Sequence, residues 1–213
     1  TIIWLEHQGL TPKKNDVRDV LRSIAIENKY NPIKDYLDSL TWDGIPRLQG
    51  GMHEGESIDP LSIEYMGAPS NPIFGKLVTK WHIAAVARAY KPGTKVDSMI
   101  VLEGTQGRQK STYLRLMATI NGVEYFADSV GDITSANSIM LLQGCWLVEI
   151  AELAGLHKRE VQHIKAWLSR TTDAFVPKYE SQRREVPRHY VIAGTHNPSG
   201  HGYLKDPTGE QIG

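Results

Sequence analysis

A single cysteine, Cys145, stands among 213 residues and lies inside an apolar run. One cysteine excludes an internal disulfide, and its setting reads as an inert, buried thiol rather than a nucleophile, in keeping with a reducing cytoplasm. Net charge is also missing: 24 Lys+Arg stand against 24 Asp+Glu. A uniformly basic nucleic-acid surface is therefore excluded, and any such contact has to come from a local patch. No apolar stretch reaches the length of a membrane span, and the opening TIIWLEHQG lacks the basic start and long apolar segment of a secretion signal. Internal repeats and low-complexity tracts are absent too. The first residue is not Met and the tail DPTGEQIG stops in a turn-like sequence, so both ends read as cut from something longer.

Apolar residues Val17, Val20, Leu21, Ile24 and Ala25 recur at helical spacing. Asn31-Pro32 then forms a cap and first-turn pair for Ile33, Tyr36, Leu37 and Leu40. Two short amphipathic helices are predicted within an amino-terminal helical region, 1–48. A Gly-, Pro- and Ser-rich linker or surface loop, 49–70, separates it from the remaining residues, 71–213. There Phe74, Leu77, Val78, Trp81, Ala85 and Arg88 mark another helix. Strand candidates follow at 98–102, 123–126, 145–150 and 189–193, alternating with helices opened by Thr134 or Ser135 and spanning 157–169. Strands alternating with helices imply an α/β fold with a mainly parallel sheet covered on both faces.

The stretch VLEGTQGRQKSTYLR almost spells a phosphate-binding loop. A triphosphate site needs main-chain N–H groups aimed at phosphate oxygens, a lysine reaching the terminal phosphates and a hydroxyl on Mg²⁺. Gly104, Thr105, Gln106, Gly107, Arg108, Gln109, Lys110, Ser111 and Thr112 supply that pattern, with an apolar strand before and a helix after. Gln109 stands where glycine normally precedes the lysine, a change expected to cost about 1–3 kcal/mol of strain. A strand–helix turn that binds nothing is the alternative.

A magnesium-dependent hydrolase also needs a carboxylate at a neighbouring strand end and an acid to orient water. CWLVEIAEL offers Glu149, as a metal-side acid with Ser111, and Glu152; either could instead be a solvated or capping Glu. VIAGTHN puts Asn197 at the end of the last strand, where its amide could meet the terminal phosphate or simply start an Asn-Pro turn. From Lys158 to Arg188 cations exceed acids by four. Within it AFVPKYESQRREVPRHYV reads as two extended arms around a polar turn, pushing Lys178, Arg183 and Arg184 outward toward a DNA backbone, or forming only a solvated face. Arg170 could reach a neighbouring subunit's phosphate as an arginine finger, or form a surface ion pair. Trp81, Tyr90 and Trp167 read as core aromatics.

With NKYNPIKDYLDSLTWDGIPRL, AVARAYKPGTKVDSMIVLEGTQGRQKST, WLVEIAEL, HIKAWLSRTTD, PRHYVIAGTHN and DPTG in view, most of the chain resembles the virulence-associated protein E family of phages and other mobile elements. The resemblance implies an additional-strand P-loop ATPase (AAA+/superfamily 3 helicase-like), using ATP and Mg²⁺, acting on single-stranded or forked DNA. It further implies self-association into a ring, such as a hexamer, and a linked primase-type module. Under it Lys110 and Ser111 bind phosphate and magnesium, Glu149 and Glu152 are the paired acids, Asn197 is the sensor and the hairpin faces DNA. Two departures stand out: Gln109, and Thr208-Gly209-Glu210-Gln211, where the family's arginines after the glycine are missing. A degenerate, non-hydrolysing module that binds DNA or a replication partner is the rival reading. A small-molecule phosphotransferase would need a lid that the sequence does not offer.

Overall fold

The computed structural model describes residues 2–45, 47–48, 61, 65–69, 71–128, 135–153, 158–178 and 182–198. Much of the expected 49–70 linker and the whole Thr208–Gln211 tail lie outside those residues. The chain divides into two compact units, Thr1–Ser39 and Leu40–Gly213.

The first unit carries α1 (Ile2–His7), α2 (Lys14–Glu27) and α3 (Pro32–Ser39). Both predicted helices are present, and α1 is additional. The Asn31 cap is as expected: its Oδ1 accepts from the Ile33 and Lys34 amides, each at 3.1 Å, satisfying two of the donors that a helix start leaves open. Of the apolar stripe on α2, Val17 is buried while Val20, Leu21 and Ile24 are exposed.

The second unit opens on a turn built by Asp43. Its carboxylate accepts from the Ile45 amide at 3.0 Å and from both Arg47 Nη atoms, at 3.1 and 2.6 Å, with Gly44 at φ 81°. Hydrogen bonds from Arg47, then that amide, hold the Asp43 carboxyl down at about 2.

Next come α4 (Pro72–Tyr90), β1 (Ile100–Glu103), α5 (Lys110–Met117), β2 (Thr119–Ile120), β3 (Val123–Glu124) and β4 (Phe126–Ala127). They are followed by α6 (Ala136–Leu141), β5 (Leu147–Ile150), α7 (Lys158–Leu168), β6 (Thr172–Phe175), β7 (Arg184–Pro187) and β8 (Val191–His196). Four strands form one parallel sheet in the order β1-β8-β5-β4, flanked by helices. All six residues of β8 are buried, as befits a central parallel strand. Ser135, rather than Thr134, caps α6, its hydroxyl accepting from the Ser138 amide.

Helix α4 is fastened to the sheet by two indoles, Trp81 Nε1 donating to the Ile192 carbonyl at 2.8 Å and Trp146 Nε1 to that of Ala85 at 3.0 Å. Trp167 joins Leu142, Val148, Ile164, Leu168, Tyr190 and Ile192 in the core. Tyr90, expected with the core aromatics, is instead 46% exposed, because it ends α4 beyond the stripe Val78, Trp81, Ala85 and Ala89. Cys145 is half-buried, and burial pushes its thiol up. That keeps it protonated and unreactive.

His189 lies at the base of the β6–β7 ribbon, with Nδ1 3.2 Å from the Pro187 carbonyl and Nε2 3.4 Å from the Gly144 amide. Only a neutral ring with its proton on Nδ1 serves both. Burial lowers its pKa from the usual value, so the unfolded chain takes up the proton first as the pH falls. Stability is then full above the ordinary histidine range, near 6.5, and lost as the pH drops through the folded-state value. The urea midpoint should fall over that interval, and His189→Gln should flatten the fall; an unchanged slope would contradict this.

Candidate phosphate site

Because β1, β8 and β5 run parallel, their carboxyl ends open on one edge of the sheet. Between β1 and α5 the chain turns through Gly104–Gln109. Two of these residues adopt positive φ: Gly107 at 83° and Gln109 at 55° with ψ 27°. Gln109 thus takes the left-handed conformation that glycine would supply, directly at the start of α5, and its side chain caps nothing. The first residues of α5, Lys110, Ser111 and Thr112, line the cleft with no side chain capping the helix start, and the amides that a helix start leaves open suit an anion.

Left-handed geometry costs a side-chain-bearing residue about 1–2 kcal/mol, while glycine loses roughly 0.5–1 kcal/mol more conformational entropy on folding. Gln109→Gly should therefore stabilise the protein by about 0.5–1 kcal/mol net, read as a higher urea midpoint. A lower midpoint would show that the glutamine makes compensating contacts.

Lys110 Nζ donates to the Gly104 carbonyl at 2.6 Å, the Thr105 carbonyl at 3.1 Å and Asn197 Oδ1 at 2.8 Å. All three ammonium protons are used, and the last bond ties the loop to the end of β8. Ser111 Oγ donates to Glu149 Oε1 at 2.7 Å, and Thr195 Oγ1 donates to the same oxygen at 2.5 Å. Glu149 is 1% exposed, and its second oxygen, Oε2, is buried without a hydrogen-bond partner among the described residues. A buried carboxylate oxygen left in that state is costly unless something else binds it.

Lys110, Ser111, Glu149 and Asn197 are therefore brought together as the sequence predicted, with the loop residues 106–109 and Thr112 around them. Glu152 and Asn197 also line the cleft, whose volume is about 370 Å³. Glu152 is exposed, with φ at 56°. Two of the three positive-φ residues other than glycine among those described, Gln109 and Glu152, flank this one cleft, and such strain persists where surrounding structure imposes it. Leu153 does part of the imposing: it packs on Gly194 of β8, where an added Cβ would lie 2.5 Å from Leu153 Cδ1.

Sequence reasoning missed Thr195 and His196, both buried and both lining the cleft. The available signal was a hydroxyl and an imidazole within the otherwise apolar VIAGTH.

The basic segment separates into two parts. β6 and β7 form the antiparallel ribbon the sequence predicted, with Phe175 opposite Arg184 and Asp173 opposite Val186. Arg188, one of its cations, is buried: Nη2 pairs with Asp173 Oδ1 at 2.6 Å, Nη1 donates to the Trp167 carbonyl at 2.6 Å, and the guanidinium lies 5.1 Å from the Trp167 and Tyr190 rings. Tyr190 OH donates to Asp173 Oδ2 at 2.7 Å, and burial pushes this phenol far above its usual range. Arg88 joins them, donating to the Tyr190, Thr94, Val96 and Arg170 carbonyls. Burial, then the Arg188 charge, lowers its guanidinium to about 10.

Arg170 and Arg183 line a second pocket and are not among the residues lining the candidate phosphate cleft. Arg184, opposite Phe175 in the ribbon, is absent from that lining. Lys178 follows the ribbon's first arm and is exposed.

Fold and site define an α/β protein whose parallel sheet gathers a lysine, a serine, a buried glutamate and an asparagine around a strand–loop–helix turn. The chain belongs to the virulence-associated protein E-like family: residues 37–211 match the model of the virulence-associated protein E-like domain. No curated protein matches the chain. No helix among the described residues is long and apolar enough to cross a membrane.

Proposed function

We propose that this chain is the ATP-binding and hydrolysing core of a phage or mobile-element DNA replication protein, a helicase-like P-loop ATPase of the additional-strand type that works in the cytoplasm. One observation carries the reading. Lys110–Asn197 and Ser111–Glu149 hydrogen bonds join residues 87 and 38 positions apart at the shared edge of three parallel strands. The strand order supports the finer assignment, because β8 is inserted between the loop strand β1 and the acid strand β5.

Gly104–Gln109 and the first amides of α5 would cradle the triphosphate, with Lys110 exchanging its carbonyl partners for phosphate oxygens. The residues fit Mg²⁺ shared with phosphate: Glu149 Oε2 is buried and unbonded, Ser111 Oγ lies beside its carboxylate, and no cluster of three or more His, Cys, Asp or Glu among the described residues could hold a metal alone. Bound there by Ser111 and Glu149, the ion would neutralise charge on the phosphate oxygens. Thr195 keeps the Glu149 carboxylate turned toward Ser111. Glu152, exposed at the mouth, would take the proton of the attacking water, and Asn197 would hold the terminal phosphate.

Subunits would assemble as a ring, such as a hexamer, alongside a primase-type module. The second reading, a non-hydrolysing module, is favoured by one observation, the side chain of Gln109 lining the cleft. Magnesium-dependent ATP turnover, with and without single-stranded DNA and beside the solution mass, separates them. The ATPase reading expects DNA-stimulated turnover by an oligomer; binding without turnover in every assembly state favours the module.

A further inference from the structure

Strand β5 ends at Ile150, whose partner in the ladder is Gly194 of β8. Three residues further on, Leu153 sits on that same glycine: a Cβ at Gly194 would lie 2.5 Å from Leu153 Cδ1 and 3.4 Å from both Leu153 Cγ and Val101 Cγ2 of β1. A chain continuing straight would have carried Leu153 about 10 Å past Ile150. It turns back instead, and the turn passes through Glu152, whose φ is 56°. We propose that Gly194 and Leu153, as notch and peg, position Glu152 and so set the rate of ATP turnover without touching the nucleotide. Neither residue lines the cleft, whereas Glu152 does. This rests on the ATPase reading, in which Glu152 takes the proton of the attacking water, and deepens it.

Glu152 needs such a device. It is exposed, and among the described residues no hydrogen bond or ion pair holds its carboxylate. What fixes it is its main chain, pinned on one side by Ile150 in the ladder and on the other by Leu153, which is 4% exposed. Left-handed geometry is unfavourable for a residue with a side chain and persists where its neighbours impose it. Gly194 itself does not have positive φ, so glycine stands there for room rather than for backbone freedom. Leu153 is buried, so a Cβ in the notch has to displace the peg, and the displacement passes to the adjacent Glu152. The nucleotide-binding groups Lys110, Ser111 and Glu149 are held by hydrogen bonds that do not involve Leu153.

The test is steady-state MgATP turnover by the whole chain, with nucleotide affinity read by titration and each variant's urea midpoint checked. Gly194→Ala should lower kcat roughly ten- to a hundredfold, as misplacing a reacting group by about 1 Å does, with MgATP affinity unchanged. Adding Leu153→Val, which withdraws the clashing Cδ1, should restore much of that loss; in a core that was merely damaged, a second truncation would only deepen it. Glu152→Gln should lower kcat at least as far, and Gly194→Ala on top of it should take away nothing more. Stability reads the notch without catalysis. Glu152→Gly should raise the urea midpoint of the wild-type chain by relieving the left-handed geometry, and should not raise that of Leu153→Ala, where the peg is gone.

Wild-type turnover that Gly194→Ala leaves intact sinks the positioning role and leaves the ATPase reading standing. So does a Gly194→Ala loss that falls on affinity and is not recovered by Leu153→Val. Wild-type binding of MgATP without turnover sinks the catalytic role of Glu152 and the proposal with it. A midpoint gain from Glu152→Gly that is the same with and without Leu153 overturns the notch whatever the turnover.

Discussion

Lys110→Ala should lower MgATP affinity by two to three orders of magnitude while leaving the urea midpoint almost unchanged. The Lys110 ammonium already sits at the centre of the loop, on two of its carbonyls and on Asn197, so it needs no large movement to meet a phosphate. Hydrogen bonds to a charged partner contribute about 1.5–3 kcal/mol each; two in the lower part of that range, as suits an open, solvated loop, amount to roughly 3–4 kcal/mol, or about 100- to 1,000-fold. Stability should barely respond, because the bonds lost are exposed or half-exposed and the freed carbonyls reach water.

Glu149→Gln should behave differently. It leaves Ser111 and Thr195 an acceptor but removes the charge that suits a cation, so nucleotide binding should persist while its magnesium dependence collapses. Titration of a fluorescent ATP analogue with and without magnesium reads both. Equal losses from the two substitutions, in both conditions, would contradict the division of labour.

Arg188→Ala should destabilise the fold by about 3–5 kcal/mol, the usual penalty for stranding one member of a buried ion pair. Here the stranded member is Asp173, itself 1% exposed and bonded to Tyr190 as well. The Trp167 carbonyl and two ring faces would lose their partner at the same time. Asp173→Leu combined with Arg188→Met should recover part of that loss, since an apolar pair of similar bulk incurs no charge desolvation. Urea unfolding of the singles and the double closes the cycle. A loss below about 1 kcal/mol for Arg188→Ala would mean that water reaches the pair, as in exposed ion pairs.

The candidate phosphate site was legible because its parts are short and local. A strand, a glycine turn, Lys-Ser and a helix follow one another directly, and Glu149 and Asn197 close two further apolar runs. The sequence could not say that Glu149 would accept a hydrogen bond from Thr195, because that bond spans 46 residues and depends on β8 lying beside β5. Nor does composition distinguish Arg188 from Arg183. Both belong to one basic stretch, yet one is clamped in the core and the other is exposed, and the difference is set by Asp173 and Trp167 arriving from other elements. The Thr119–Glu124 hairpin was overlooked despite a strong local cue, Asn121-Gly122, whose φ values of 51° and 79° are what a tight hairpin turn needs.

Calorimetric titration of MgATP into this chain and into Lys110→Ala tests the central claim most directly. The account predicts a saturable heat at one site per chain that the substitution removes. No heat from the unaltered chain at millimolar nucleotide, or the same heat from both proteins, would contradict it.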